Sequence, residues 1–188
     1  MMKIIFAFAL MVTLFSGCVS SPFYQKSYAI PRNKWSHDFK PSFVLDVEDT
    51  TIHYNLSFII RHTTNYAYAN IWLNVWVKKP GDAAFINTRV EVPLANPQGK
   101  WLGVGMGEIY EQRRMIVLDH KAIPVTDDLI SISEQSINDL FSKKGRYEIR
   151  LEQNMREQSL SDILHIGLRV EKSSARKVSA TALPKPVS

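Results

Sequence analysis

Cysteine is almost absent from this chain: one residue in 188, at Cys18. A lone thiol excludes an internal disulfide framework. A continuous apolar stretch of about 20 residues, the length needed to cross a hydrocarbon core of roughly 30 Å, is also missing. The five histidines, His37, His53, His62, His120 and His165, are scattered, with no HxH or HxxxH pair that would put two ligands on one metal. There is no GxSxG nucleophile elbow and no Walker loop. These absences argue against an enzyme, a metal centre or a bound cofactor. Asp127-Asp128 has carboxylates enough to touch calcium, but reads more simply as a solvated loop ahead of a helix.

Charge excludes another class. The whole chain carries a formal +5. Lys3 sits in the first 17 residues, and Arg176, Lys177 and Lys185 sit in the last 16, which hold no acid. The body between them is close to neutral. A nucleic-acid binder carries its positive charge on the folded domain, so no nucleic-acid partner is expected.

What is present at the N-terminus is a targeting signal. Lys3 is followed by an almost wholly apolar stretch, Ile4 to Phe15, and then Ser16-Gly17-Cys18. A charged start and a short apolar run ending in small residues is the pattern of a cleaved secretory signal. Leu14-Phe15-Ser16-Gly17-Cys18 resembles the bacterial lipobox, with Phe15 where Leu is commonest. The expectation is cleavage before Cys18 and lipid attachment to its sulfur. A single acyl chain holds weakly, whereas a diacylglyceryl group with a further N-acyl chain makes a stable anchor. The chain then divides into a signal peptide (1–17), a tether (18–27), a domain (28–172) and a disordered basic tail (173–188). No acidic residue follows Cys18 in Val19-Ser20-Ser21, which points to the periplasmic face of the outer membrane.

Inside the domain, apolar residues recur with period two, as half-buried strands require. This holds around Phe43–Val47, Tyr54–Ile60, Ile71–Val77, Ile86–Val92, Tyr147–Leu151 and Leu164–Val170. Lys79-Pro80-Gly81-Asp82 predicts a hairpin between the third and fourth of these. One segment breaks the period: Ser131 to Glu134 has capping-box spacing, and Ile137, Leu140 and Phe141 share a helical face. With Gly145 as its stop, one short helix is expected there. The fold class is therefore all-β: an antiparallel β-sandwich, jelly-roll or immunoglobulin-like, of about eight strands with one short helix.

Two groups of residues are candidates for an interaction surface. Gly103, Gly105 and Gly107 lie in Gly103-Val104-Gly105-Met106-Gly107, just after Trp101; without a strand–turn–helix frame they read as a tight loop with positive φ, and Trp101 as partly exposed. Trp72, Asn74 and Trp76 share one face of their strand, opposite Ile71, Leu73, Val75 and Val77. They make either a stacking platform for sugar rings or a partner, or the second face of a strand buried on both sides. Burial on both sides is the favoured reading, because large exposed apolar patches are rare on monomers. Trp35 is expected to plug the sandwich where the tether enters.

Several stretches carry a resemblance: Asn33-Lys34-Trp35, Tyr68-Ala69-Asn70-Ile71-Trp72-Leu73, and above all the continuous run Leu94 to Tyr110 (LANPQGKWLGVGMGEIY). Gly145-Arg146-Tyr147, Glu152 to Arg156 and Ile166 to Lys172 follow in order. In these the chain resembles the gliding-motility lipoprotein family GldH of the Bacteroidota, from about Tyr28 to Lys172. The segment near 125–143 is longer than is usual there, and the tail after Lys172 is this chain's own. The resemblance implies an outer-envelope lipoprotein that supports surface gliding beside the type IX secretion machinery, without catalysis, with other envelope proteins as partners. The alternative is a carbohydrate- or peptidoglycan-binding sandwich using Trp72, Asn74, Trp76 or Trp101.

Overall fold

A computed structural model describes residues 22–116, 129–130 and 140–176. Twelve strands follow one another: β1 (Tyr24–Ala29), β2 (Lys34–Ser36), β3 (Ser42–Val47), β4 (Ile52–Thr63), β5 (Asn70–Lys78), β6 (Ile86–Pro93), β7 (Val104–Met106), β8 (Ile109–Ile116), β9 (Leu129–Ile130), β10 (Gly145–Gln153), β11 (Ser159–Ser161) and β12 (Ile163–Arg176). The larger sheet runs β1-β12-β4-β8-β7, with β9 also on β8. The second sheet runs β3-β10-β5-β6, and β11 and β2 form a small ribbon. All pairs are antiparallel except β8 with β9. The all-β sandwich expected from the alternation is what forms.

The alternation explains the layering. Phe43, Leu45 and Val47 of β3, Ile71, Leu73, Val75 and Val77 of β5 and Tyr147, Ile149 and Leu151 of β10 are buried. They share one core with Leu56, Phe58 and Ile60 of β4 and Ile166, Leu168 and Val170 of β12. Burying each such side chain stabilises by roughly 1.5–3 kcal/mol, so this shared face is what joins the sheets. Tyr28 stitches the β1–β3 side: its hydroxyl donates to the Ser42 carbonyl at 2.6 Å and its ring meets Phe43 edge-on.

Strand directions give the sandwich two distinct ends. Tyr24 lies level with Val170 and, through it, with Leu56. Phe23 packs on Tyr54 with ring centres 5.1 Å apart. The chain enters at this end and rises along β1 to Ala29, level with His165. Trp35, fully buried with Nε1 donating to the Phe39 carbonyl at 2.8 Å, therefore plugs the far end rather than the end of entry. β1 takes up Tyr24–Ser27 of the stretch read as tether, and β12 continues through Ser173–Arg176. The expected helix falls mostly on 131–139, outside the described residues. Its last two apolar residues, Leu140 and Phe141, sit in a turn and are buried, Phe141 edge-on to Tyr54 and Tyr147. A 3-10 turn at Pro31–Asn33 is the one helical element among the described residues.

Candidate functional site

The run Leu94–Tyr110 folds as one unit at the far end. Leu94 and Ala95 both donate to the Ala69 carbonyl, at 2.7 and 2.9 Å. Ala95 bridges Trp101, and Asn96 closes the loop: its Oδ1 accepts from the backbone of Gln98 at 3.1 Å and of Lys100 at 2.9 Å. Gly99 turns the corner with φ +78. Trp101 is thereby carried, half-buried, into an aromatic cluster. Its ring meets His62 edge-on at 4.6 Å, with Tyr66 at 6.5 Å and Tyr110 at 6.4 Å.

The three glycines then do different jobs. Gly103 has φ +87, and a Cβ there would collide with the Glu111 carbonyl and the Gln112 side chain. Gly105 faces inward on β7, where a Cβ would stand 2.6 Å from Cε1 of Tyr110. Gly107, with φ +62, sits at the first central position of the two-residue turn between Met106 and Ile109, as a type II′ hairpin requires. The Glu108 carbonyl of that turn accepts from the Thr64 backbone at 2.8 Å, fixing the hairpin to the β4–β5 loop. On its outer face the hairpin displays Val104, Met106 and Ile109, which are 80%, 87% and 42% exposed.

Beneath the unit lies a buried polar chain that periodicity does not reveal. Inward positions of β8 carry Tyr110, Gln112 and Arg114, opposite His62, Ile60 and Phe58 of β4. His62, Gln112 and Arg114 are buried. His62 Nδ1 lies 2.9 Å from the Thr63 carbonyl, which can only accept, so this nitrogen holds the proton. Nε2 is then the acceptor for the Gln112 amide at 3.3 Å. The same amide nitrogen donates to the Leu94 carbonyl at 2.6 Å, and Arg114 Nε donates to Gln112 Oε1 at 3.2 Å. Burial keeps the His62 imidazole below its ordinary pKa, against the smaller effect of the Thr63 carbonyl. Beside it burial pushes the Tyr66 phenol far up, and its hydroxyl donates to the Asn70 carbonyl at 3.0 Å. Tyr68 donates to Glu157. These groups hold one another in place. They form no nucleophile–base pair aimed at solvent, and no cluster of metal-ligating groups occurs among the described residues.

Trp72, Asn74 and Trp76 lie on the outer face of the second sheet, half-buried rather than enclosed. Their cover comes from neighbouring side chains. The Arg89 guanidinium stands 4.0 Å over the Trp72 ring. Trp76 Nε1 donates to Glu152 at 2.9 Å, Asn74 reaches the same oxygen at 3.4 Å, and Lys40 binds the other at 2.8 Å. Phe85 lies under Arg150 at 4.2 Å. Burial alone would raise the Glu152 pKa, but these donors outweigh it and hold the carboxylate below its usual range. The structure thus separates the two candidate groups: Trp101 and its glycines at the far end, Trp72 to Trp76 on a sheet face. At the end of entry, a cleft of about 410 Å³ is lined by Lys78, Lys79, Pro80, Asp82, Arg146 and Glu148, of both charge signs. Cys18 and Asp127-Asp128 lie outside the described residues.

Fold and site together define a small antiparallel β-sandwich whose distinctive part is a glycine-shaped hairpin carried on a buried polar chain. This chain belongs to the GldH lipoprotein family, whose model matches residues 22–137. It is 30% identical over 176 residues to the "Gliding motility lipoprotein GldH homolog" of Christiangramia forsetii, covering 90% of this chain and 95% of that one. It is 28% identical over 144 residues to the "Gliding motility lipoprotein GldH" of Flavobacterium johnsoniae, covering 73% and 77%. A solved structure, "Crystal structure of infectious bursal disease virus VP2 subviral particle", is 12% identical at a TM-score of 0.27, covering 80% of this chain and 33% of that one. So slight a likeness carries no argument.

Proposed function

We propose that this chain is a lipid-anchored, non-catalytic interaction module of the gliding apparatus, held through Cys18 at the periplasmic face of the outer membrane beside the type IX secretion machinery. The observation that carries this reading is the family membership, with 30% identity over 90% of the chain to a relative named for gliding motility. The lipobox-like Leu14-Phe15-Ser16-Gly17-Cys18 supports the anchor. The Leu94–Tyr110 unit supports the module: its conformation is fixed by glycines and buried hydrogen bonds, and what it displays outward is apolar contact surface. Deleting the gene and measuring gliding together with type IX cargo secretion tests the reading. Loss of either supports it, and normal behaviour in both sinks it.

A second reading has one observation in its favour. Trp72, Asn74 and Trp76 sit along an open sheet face, where rings could stack on sugars of a polysaccharide or of peptidoglycan. Against it, Arg89 already occupies the Trp72 ring face and Glu152 holds the Trp76 Nε1.

A further inference from the structure

The two larger sheets have five edge strands, β1, β3, β6, β7 and the two-residue β9. An open edge presents unpaired N–H and C=O groups, and folded proteins guard such edges with charge or proline. β1 carries Lys26, β3 carries Asp46, and β6 carries Arg89, Glu91 and Pro93. β7 reads Val104-Gly105-Met106 and β9 reads Leu129-Ile130, neither with charge or proline. In a hairpin closed by two residues the flanking pair, Met106 and Ile109, bond each other. The next residue, Gly105, then turns its N–H and C=O to the far side. No described strand pairs there. The β7 edge is therefore unguarded, and it is also the most exposed apolar surface on the described residues, with Val104 and Met106 side by side on its outer face.

The chemistry of that edge selects its occupant. A lipid surface could take up Val104 and Met106, but it offers nothing to the backbone groups of Gly105, and open edges are not tolerated in hydrocarbon. A polypeptide strand satisfies both. The position agrees. Cys18 is five residues from Phe23, a reach of at most about 18 Å, and Phe23 is docked at the end of entry. Met106 and Ile109 lie level with Thr63, seven residues along β4 from the level of Tyr24, or about 23 Å at the rise of a strand. We propose that the open edge of β7 receives an extended segment of another protein, with apolar side chains at alternate positions, as an added strand. This deepens the reading of the chain as an interaction module and rests on it.

The test uses the full chain in intact cells of its own host, with a photocrosslinking residue at position 104, at 106, or at the exposed Ile86 of β6 as control. The expected result is one product shared by positions 104 and 106, mapped to residues two apart in a single segment of another protein, and absent from position 86. It should fall at least about tenfold when the neighbouring exposed position is changed, Met106→Lys for the probe at 104 and Val104→Lys for the probe at 106, as edge lysines block strand addition. The amide of Gly105 should also exchange at least about tenfold more slowly in native envelopes than in the purified chain, because it becomes hydrogen-bonded. Crosslinks to lipid, to a second copy of this chain or to scattered sites would overturn the proposal, as would unchanged exchange. If the gene-deletion strain glides and secretes normally while the probe-bearing strains give the shared product, the motility reading fails and the strand site stands. If deletion stops gliding while probes at 104 and 106 give no shared product, the reverse holds.

Discussion

Tyr110 lies across the place where a side chain would begin at Gly105: a Cβ there would stand 2.6 Å from the ring. The ring in turn lies within 6.4 Å of Trp101 and 6.0 Å of His62, so this one close approach links the hairpin to the aromatic cluster. Gly105→Ala should push Tyr110 out of place and destabilise the domain by about 1–3 kcal/mol, the usual cost of overpacking. The double variant Gly105→Ala/Tyr110→Leu should recover part of that loss. A double-mutant cycle on urea unfolding measures the coupling, and strict additivity would contradict the contact. Gly103→Ala should not be rescued in this way, because its obstacle includes backbone and its φ is +87.

Gln112 is the centre of the buried chain, donating to Leu94 and His62 and accepting from Arg114. Gln112→Leu keeps the volume but takes the donor from His62 Nε2 and an acceptor from Arg114 Nε, and leaves the Leu94 carbonyl with only the Leu102 backbone bond at 2.9 Å. Leaving a buried acceptor such as His62 Nε2 unpaired costs about 1–3 kcal/mol. The Leu94–Trp101 loop should loosen, and a red shift of Trp101 fluorescence would report it. An unchanged spectrum with unchanged stability would mean that the loop is held by its backbone bonds alone.

His62 gives the domain an acid sensitivity with a defined sign. Burial lowers its pKa, so the unfolded chain takes up a proton near pH 6.5 while the folded chain does not. Stability from this site is whole above pH 6.5 and declines below it, until the folded pKa is reached. The slope is at most about 1.4 kcal/mol per unit. His62→Phe should remove that slope, read as the difference in urea midpoint between pH 7.5 and pH 5.5 in wild type and variant. Equal differences in both would show that other groups set the acid limit.

Arg89 shields Trp72. Arg89→Ala should cost only about 0.5–1 kcal/mol, as an exposed cation–π pair does, while acrylamide quenching of indole fluorescence rises. N-acetylglucosamine oligomers separate the two functional readings on the same signal. The interaction-module reading expects no saturable change in the wild-type chain. A change abolished by Trp76→Ala would decide for the sugar-binding surface.

Cys18→Ser removes the proposed acceptor for lipid. The variant should move from the membrane to the soluble fraction on cell fractionation, with its melting temperature unchanged, because Cys18 lies six residues ahead of Tyr24, where the first strand begins. Retention in the membrane fraction would refute the anchor.

Six strands were legible from alternation alone, because in each one face meets the shared core; the other face is more open except on β4, where Ser57 and Ile59 are buried as well. β8 was not, because its inward residues are Tyr110, Gln112 and Arg114 rather than aliphatics. Their burial depends on partners distant in sequence, the Leu94 carbonyl and His62. β1 was read as tether for a related reason: an edge strand with Gln25, Lys26 and Ser27 carries too little apolar pattern to declare itself, and only pairing with β12 makes it a strand.

What the sequence determined by itself was local. It set the lipobox-like run ending at Cys18, the periodicity that makes sheets, and the glycines whose backbone angles make the Leu94–Tyr110 unit possible. Tertiary structure decided which surfaces are left over. It put Trp35 at the far end, left Trp72 and Trp76 half-covered instead of enclosed, and turned a glycine-rich loop into an unguarded edge of a sheet. The reason is physical: a two-residue period says that a strand has two faces, but exposure of either face, and of an edge, is set by neighbours brought from elsewhere in the chain.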